Sequence, residues 1–222
     1  MSTRAIISSL DFFKSLNDEQ IDKLAKIANV TTYTKEYVLH YEQQQSKTLL
    51  FLVEGLAKAY KIDKHDNEIF LYYIYENSLL SEISSMHDEH LYSFSNIQLI
   101  EDSKILSINY SAFKKEFLHK HLLCSEFTNE IINRSMQLQS LVNREFIFDS
   151  VSKVAMMINE DIEMFNKLKR HDISLILHIQ PATLSRVLNR LKRNKIIDII
   201  HGKITIVDHE ALQAVYKDEQ DD

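Results

Sequence analysis

The 222-residue chain has one cysteine, one proline, two glycines and no tryptophan. A single cysteine, Cys124, excludes an internal disulfide framework and any four-thiolate metal or iron–sulfur site within one chain. It also fits a reducing, cytoplasmic setting. Average usage would give roughly 15 glycines and 11 prolines. Turns therefore fall to Asn, Asp, His and Lys, and no flexible Gly/Ser linker separates domains. No apolar run approaches the roughly 18 residues of a membrane span. The opening MSTRAIISSLDFF has neither the apolar core nor the small-residue cleavage pattern of a signal peptide. No membrane partner is expected.

Apolar residues make up 45% and charged residues 26%, ordinary for a globular protein with a core. The net charge of −6 argues against a nucleic-acid partner until its distribution is read. Between Lys167 and Lys203 there are nine cations and two acids, a local charge of +7 that leaves −13 for the rest. A confined basic patch on an acidic protein directs one face to a polyanion. A solvated lysine-rich surface is the bland alternative.

Asn17 begins a helix, with Gln20 at the reciprocal capping position and Leu16 and Ile21 as a hydrophobic staple; the helix is expected to run through Ala28. From Thr31 to about Ser107 the texture is β-rich, with short runs at 33–41, 48–53, 56–62, 69–75, 94–100 and 104–108 separated by polar turns. Strands so spaced predict an antiparallel sandwich or barrel. Tyr60, Phe70, Tyr72, Tyr73 and Tyr75 read as its core and cross-strand pairs. From Ser111 a helical series with 3,4 spacing follows: Cys124, Phe127, Ile131, Arg134, Leu138, Leu141, Glu145 and Phe148. That is a coiled-coil seam, with Arg134 and Glu145 as polar interruptions, and it predicts a homodimer. A helix packed on its own domain is the alternative. Asp149 can cap a further helix from Val151 to about Met164. The expected organisation is a β-rich domain over residues 1–110, a long helix over 111–148 and a third domain over 149–222.

That third domain carries the sharpest chemistry. His171-Asp172 opens a short helix over 173–177, a turn of about three residues follows, and Gln180 caps a second helix whose first turn holds Pro181. Val187, Leu188 and Leu191 face inward. Ala182, Thr183, Ser185, Arg186, Arg190, Lys192 and Arg193 supply small polar groups and long cations, which suit base edges and phosphates. Ile196–Ile200, a Gly202 turn and Lys203–Val207 form a basic hairpin. Together they read as a winged helix-turn-helix on double-stranded DNA.

The order and spacing resemble the Crp/Fnr family of bacterial transcription regulators over nearly the whole chain. The matching residues are the Phe13–Leu24 entry, Leu52-Val53-Glu54-Gly55, Ser81-Glu82, Asp149 at the hinge, Thr183-Leu184-Ser185-Arg186, and then Leu188, Leu191 and Ile197. The resemblance implies an α+β chain: an antiparallel, cyclic-nucleotide-binding-like β-roll (a jelly roll), a dimerisation helix, and a C-terminal winged helix-turn-helix. It also implies RNA polymerase as a partner. Members that bind cyclic AMP resemble one another in a Gly-Glu pair followed by Arg-Ser or Arg-Thr. Here Ser81-Glu82 retains an acid for a ribose hydroxyl, but Leu91-Tyr92-Ser93 has no arginine for a cyclic phosphate, so cyclic AMP is not the expected ligand. The resemblance places an effector near Tyr72, Glu82, Tyr92 and Ser93. The cysteine cluster of oxygen-sensing members is absent. Haem stays open, with His40, His65, His87, His90 and Met86 as nominal ligands.

At Ala182, members commonly carry a Glu that reads base amino groups; alanine can meet only a thymine methyl, which shifts the expected palindromic site towards A·T. His178 stands at the usual turn glycine, and histidine tolerates positive φ better than most residues. The reading is a homodimeric, sequence-specific transcription regulator answering an effector or stress signal, such as a nitrosative or redox one. The alternatives are a sensor or interaction module that does not bind DNA, and a cupin-like metalloenzyme, for which the scattered histidines offer no metal cluster. No nucleophile–base set marks a catalytic residue, and no metal site is expected.

Overall fold

The run Leu49-Leu50-Phe51-Leu52 is apolar without alternation, the pattern of a strand covered on both faces. In the computed structural model, which describes residues 1–217, that strand is the middle of a three-layer unit. The order is α1 (Thr3–Ser9), α2 (Asp18–Ala25), β1 (Ala28–Tyr33), β2 (Val38–His40), β3 (Gln45–Ser46), β4 (Thr48–Glu54), β5 (Leu56–Ile62) and β6 (Glu68–Tyr75). Then come β7 (Ser78–Leu79), β8 (Leu91–Tyr92), β9 (Asn96–Leu99), β10 (Ser103–Asn109), α3 (Tyr110–Glu116) and α4 (Cys124–Val142). Two antiparallel sheets, β1-β10-β4-β7 and β2-β9-β5-β6, face each other, and β3 pairs with β8 beside them.

Alternation sorts the side chains. Leu49 and Phe51 of β4, with Leu106 and Ile108 of β10, meet Ile7, Phe13, Leu24, Phe113 and Phe127 from the helices. Leu50, Leu52 and Ile105 point the other way, against Ala57, Ala59, Ile74, Ile97 and Leu99 of the second sheet. Each buried Leu, Ile or Phe of these two sets contributes about 1.5–3 kcal/mol of transfer free energy, and the two alanines less. The expected antiparallel roll is therefore present. Two expectations shift. The capped helix has its reciprocal Asn17–Gln20 box at 2.9 Å each way but stops at Ala25, and Ala28 opens β1. Of the aromatic group, Tyr60 and Phe70 are buried as a cross-strand pair, whereas Tyr75 is exposed.

Glycine is needed at Gly55, in the β4–β5 turn: φ is 106°, and a Cβ there would stand 2.3 Å from the Ser103 hydroxyl. Elsewhere other residues take positive φ, among them Asp66, Asn77, His121, His178, Lys195 and His201. That is the Asn, Asp, His and Lys usage which the shortage of glycine demands. Glu36, Gln43 and Leu123 join them, with no composition signal to mark them.

Contacts divide the chain into two compact units, Met1–Gln137 and Leu138 onward. The second holds the end of α4, a π-helical turn over Asn143–Ile147, α5 (Ser150–Glu160), α6 (Ile162–Lys167), α7 (Arg170–Ile176), α8 (Pro181–Arg193), β11 (Ile197–Ile200), β12 (Lys203–Ile206) and α9 (His209–Lys217). Residues 218–222 of the expected 149–222 domain lie outside the described residues. Asp149 caps α5 through the Val151 and Ser152 amides, both at 2.8 Å. The expected helix to Met164 is broken at Asp161, whose φ of −153° is not helical and whose carboxylate caps α6 at the Met164 amide. The short helix before the turn begins at Arg170, earlier than His171-Asp172 suggested.

Candidate nucleic-acid interface

On α8 the apolar positions Leu184, Val187, Leu188 and Leu191 are buried; Leu184 joins the three that periodicity gave. The opposite face is exposed and carries Pro181, Ala182, Ser185, Arg186, Arg190, Lys192 and Arg193, with Thr183 half-buried. Pro181 sits in the first turn, where its missing N–H costs nothing. Gln180 occupies the cap position, but its side chain makes no capping hydrogen bond and stays exposed. The Ser185 hydroxyl is turned back to the Pro181 carbonyl at 3.1 Å.

The turn from α7 spans residues 177–180, with His178 at φ 51°. Its Nδ1 lies 2.7 Å from the Glu145 carboxylate, which also accepts from Arg144 at 2.9 Å and has Lys153 at 3.8 Å. Burial pushes the Glu145 carboxyl up, but the His178 and Arg144 hydrogen bonds outweigh it and leave it below the usual carboxylate range. The helix ends in a Schellman arrangement: Lys195 is left-handed, the Ile196 amide bonds the Leu191 carbonyl at 3.0 Å, and both of those side chains are buried.

β11 and β12 are joined by His201-Gly202, both at positive φ as a two-residue type I′ hairpin requires. Lys203 leaves the turn exposed. Two residues unremarked in the sequence hold this wing. The Asn166 amide donates to the Ile204 carbonyl at 2.8 Å and accepts from the Ile204 amide at 2.7 Å. Arg170, counted only as a cation, donates to the Gly202 carbonyl at 3.0 Å and stacks on Phe165. Neither was legible from pattern, because both contacts go to backbone distant in sequence.

Cations on this surface differ in availability. Lys192 is paired with Asp198 at 2.9 Å and reaches the Ile199 carbonyl, so it braces the wing. Among the described residues Arg186, Arg190, Arg193 and Lys203 have no protein partner, and they point into solvent from one helix and the adjacent turn.

The seam series is rotated relative to expectation. Ile131 and Leu138 are exposed on α4 together with Ile132, Met136 and Val142. Phe127, by contrast, is buried in the core of the first unit, because the start of α4 packs on Phe12 and Phe113. Arg134 bonds the Leu79 carbonyl at 2.5 Å and lies over the Tyr72 ring. Cys124 and Leu141 are half-buried. Glu145 and Phe148 lie beyond the end of α4: Glu145 is held in the His178 cluster, and Phe148 is buried beside Tyr216. The exposed stripe is Ile131, Ser135, Leu138 and Val142, still at 4,3,4 spacing.

The four residues expected around an effector have different surroundings in the first unit. Tyr72 and Glu82 meet at 3.5 Å inside a polar cluster. Ser93 is buried, and its amide and carbonyl pair with Gln44 and Gln43. Only Tyr92 lines the adjacent cavity of about 630 Å³, with Gln45, Ser84, Asp88, His90 and Phe94. The acid expected to take a ribose hydroxyl is engaged: Glu82 accepts from the Phe94 amide at 2.6 Å and from the Ser95 amide and hydroxyl at 3.0 Å each. Ser81 is also committed, accepting from the Leu50 amide at 2.9 Å. These residues do not fit a cyclic nucleotide, since the acid is already bonded and, among the described residues, no Lys or Arg lines the cavity beside Tyr92. Among the described residues no three His, Cys, Asp or Glu side chains converge as a metal site would require, and no helix is long and apolar enough to cross a membrane.

The chain matches the model of the cyclic nucleotide-binding domain over residues 30–120 and that of the Crp-like helix-turn-helix domain over residues 155–215. A search of curated proteins gives no match. Similar solved structures include FixK2 from Bradyrhizobium japonicum, 14% identical, covering 85% of this chain and 97% of that one at a TM-score of 0.65. A protein assigned to the Crp/Fnr family from Eubacterium rectale is 16% identical, covering 94% and 98% at 0.63. A variant of CooA from Carboxydothermus hydrogenoformans is 16% identical, covering 86% and 89% at 0.65. With a β-roll, a long helix and a winged helix-turn-helix in that order, the chain belongs to the Crp/Fnr family of DNA-binding transcription regulators, as a member without the cyclic-AMP arginine and the iron–sulfur cysteines.

Proposed function

We propose that the chain acts as a cytoplasmic homodimer on a palindromic promoter site, with α8 of each protomer in a major groove and half-sites about one helical turn apart. The supporting observation is the unpartnered row Arg186, Arg190 and Arg193 on the exposed face of α8, in a chain of net charge −6. Arg186, one turn into the helix beside Ala182, Thr183 and Ser185, reads guanine or holds a phosphate. Arg190, Arg193 and Lys203 neutralise phosphates. Lys192, tied to Asp198, contributes mainly by bracing the wing. Gln180 and Pro181 lie at the helix end nearest the bases.

Ala182 offers only a methyl, so the half-site leans to A·T. The dimer seam is the exposed apolar stripe of α4, and the domains follow the 1–110, 111–148 and 149–222 division. The complex engages RNA polymerase to set transcription and acts by binding, not catalysis. Selection of binding sites from random duplexes tests this. An A·T-rich palindrome with half-sites one turn apart is expected, and Arg186→Ala should relax the preference at one position per half-site. Recovery of no common sequence would overturn the reading.

A further inference from the structure

Glu82 and Arg134 lie at two ends of one polar cluster in the first unit. A carboxylate offers about four acceptor sites. Glu82 fills them from its own chain: the Phe94 amide, the Ser95 amide, the Ser95 hydroxyl and, longest, the Tyr72 hydroxyl. The Tyr72 ring carries the Arg134 guanidinium 5.0 Å from its centroid. Arg134 in turn donates to the Leu79 carbonyl at 2.5 Å and to Gln137 at 3.1 Å. One side chain from α4 thus ties together β6, β7 and the segment that Glu82 clamps ahead of β9. No donor of a foreign molecule is needed to complete it. Burial raises the Tyr72 hydroxyl and the neighbouring Glu130 carboxyl, as a water-poor setting requires, and cation–π contacts are strongest where water is excluded.

We infer that Arg134 serves as a built-in ligand: its guanidinium holds the first turns of α4 on the β-roll, so the regulator binds its DNA site with no nucleotide or other small molecule in this cluster. The inference rests on the proposed dimer, because it needs α4 to carry the seam. Position and chemistry both support it. Arg134 falls between exposed Ile131 and Leu138 on the helix but is turned inward, so fixing it also fixes which face of α4 is presented. Where a cyclic phosphate would need an arginine on the roll, the chain has Tyr92, and its one guanidinium in this cluster comes from the helix.

The test uses full-length protein unfolded, stripped of small molecules and refolded, titrated onto the selected duplex by fluorescence anisotropy. Wild type should bind at full affinity, and saturating cyclic AMP or cyclic GMP should leave it within about twofold. Arg134→Ala should weaken binding about tenfold or more, with millimolar methylguanidinium restoring part of it, and Arg134→Lys should retain more than Arg134→Ala. Rescue by methylguanidinium separates loss of this contact from general misfolding. Binding by stripped wild type only after a nucleotide is added, or wild-type affinity in Arg134→Ala, would overturn the inference while leaving the DNA-binding reading intact. No binding to any duplex under any condition would overturn both.

Discussion

In the first unit the Glu82 carboxylate accepts four hydrogen bonds from its own chain, whereas in the second the Arg186 guanidinium has no partner among the described residues. The same contrast holds for their neighbours. Ser81, Asn96 and Tyr110 bond backbone of the roll, while Arg190, Arg193 and Lys203 face solvent. Polar groups that complete a fold are bonded within it; those kept for a partner are left over. In a regulator whose β-roll and helix-turn-helix share one chain, that surplus points to DNA at α8 and away from an anionic ligand at Glu82.

The comparison can be broken first at its glycines. Gly55 is packed against Ser103, whereas no atom lies within 4 Å of the position a Gly202 Cβ would take. Gly55→Ala combines positive-φ strain with a clash and should lower unfolding free energy by about 3 kcal/mol, read as a urea midpoint shift. A small shift would mean the roll is more yielding than its bonding implies. Arg186→Ala should cost about 1–3 kcal/mol in DNA binding with no shift in that midpoint, the mark of a group serving a partner.

His40 is an exception within the first unit, and pH exposes it. It is buried, its Nε2 has no partner, and burial holds it down at about 4 against an ordinary 6.5. The unfolded chain then takes up a proton more readily. The stabilisation is complete above 6.5 and is lost as pH falls towards 4. From pH 7.5 to 5 the loss should be about 2 kcal/mol. His40→Phe should remove that part of the pH dependence; an unchanged slope would sink the assignment. The smallest effect is expected at Gly202→Ala, about 1 kcal/mol of positive-φ strain, seen as a modest fall in DNA affinity through the wing.

Much of this was legible in the sequence for physical reasons. The Asn17–Gln20 box, the Asp149 cap, Pro181 and the His201-Gly202 turn are local signals, complete within a few residues, and each forms as read. The buried face of α8 follows from periodicity alone. What escaped depends on distant contacts. Phe127 and Arg134 fit the heptad series as well as Ile131 and Leu138 do, and only the roll they pack on decides which pair turns inward. The Asn166–Ile204 and Arg170–Gly202 bonds involve backbone 38 and 32 residues away. Strands as short as β3, β7 and β8, two residues each, carry no period to detect. The acid at Glu82 was identified by resemblance, but its saturation by Phe94 and Ser95 depends on how the intervening loop returns.

The most direct measurement is the salt dependence of wild-type and Arg186→Ala binding to the selected duplex and to a scrambled one. If α8 and the wing of two protomers neutralise about six to ten phosphates, affinity should fall about 10³–10⁵-fold between 50 and 200 mM salt. Wild type should prefer the selected duplex, and Arg186→Ala should lose much of that preference. Binding that ignores salt, or a variant that discriminates as well as wild type, would contradict α8 as the reading element.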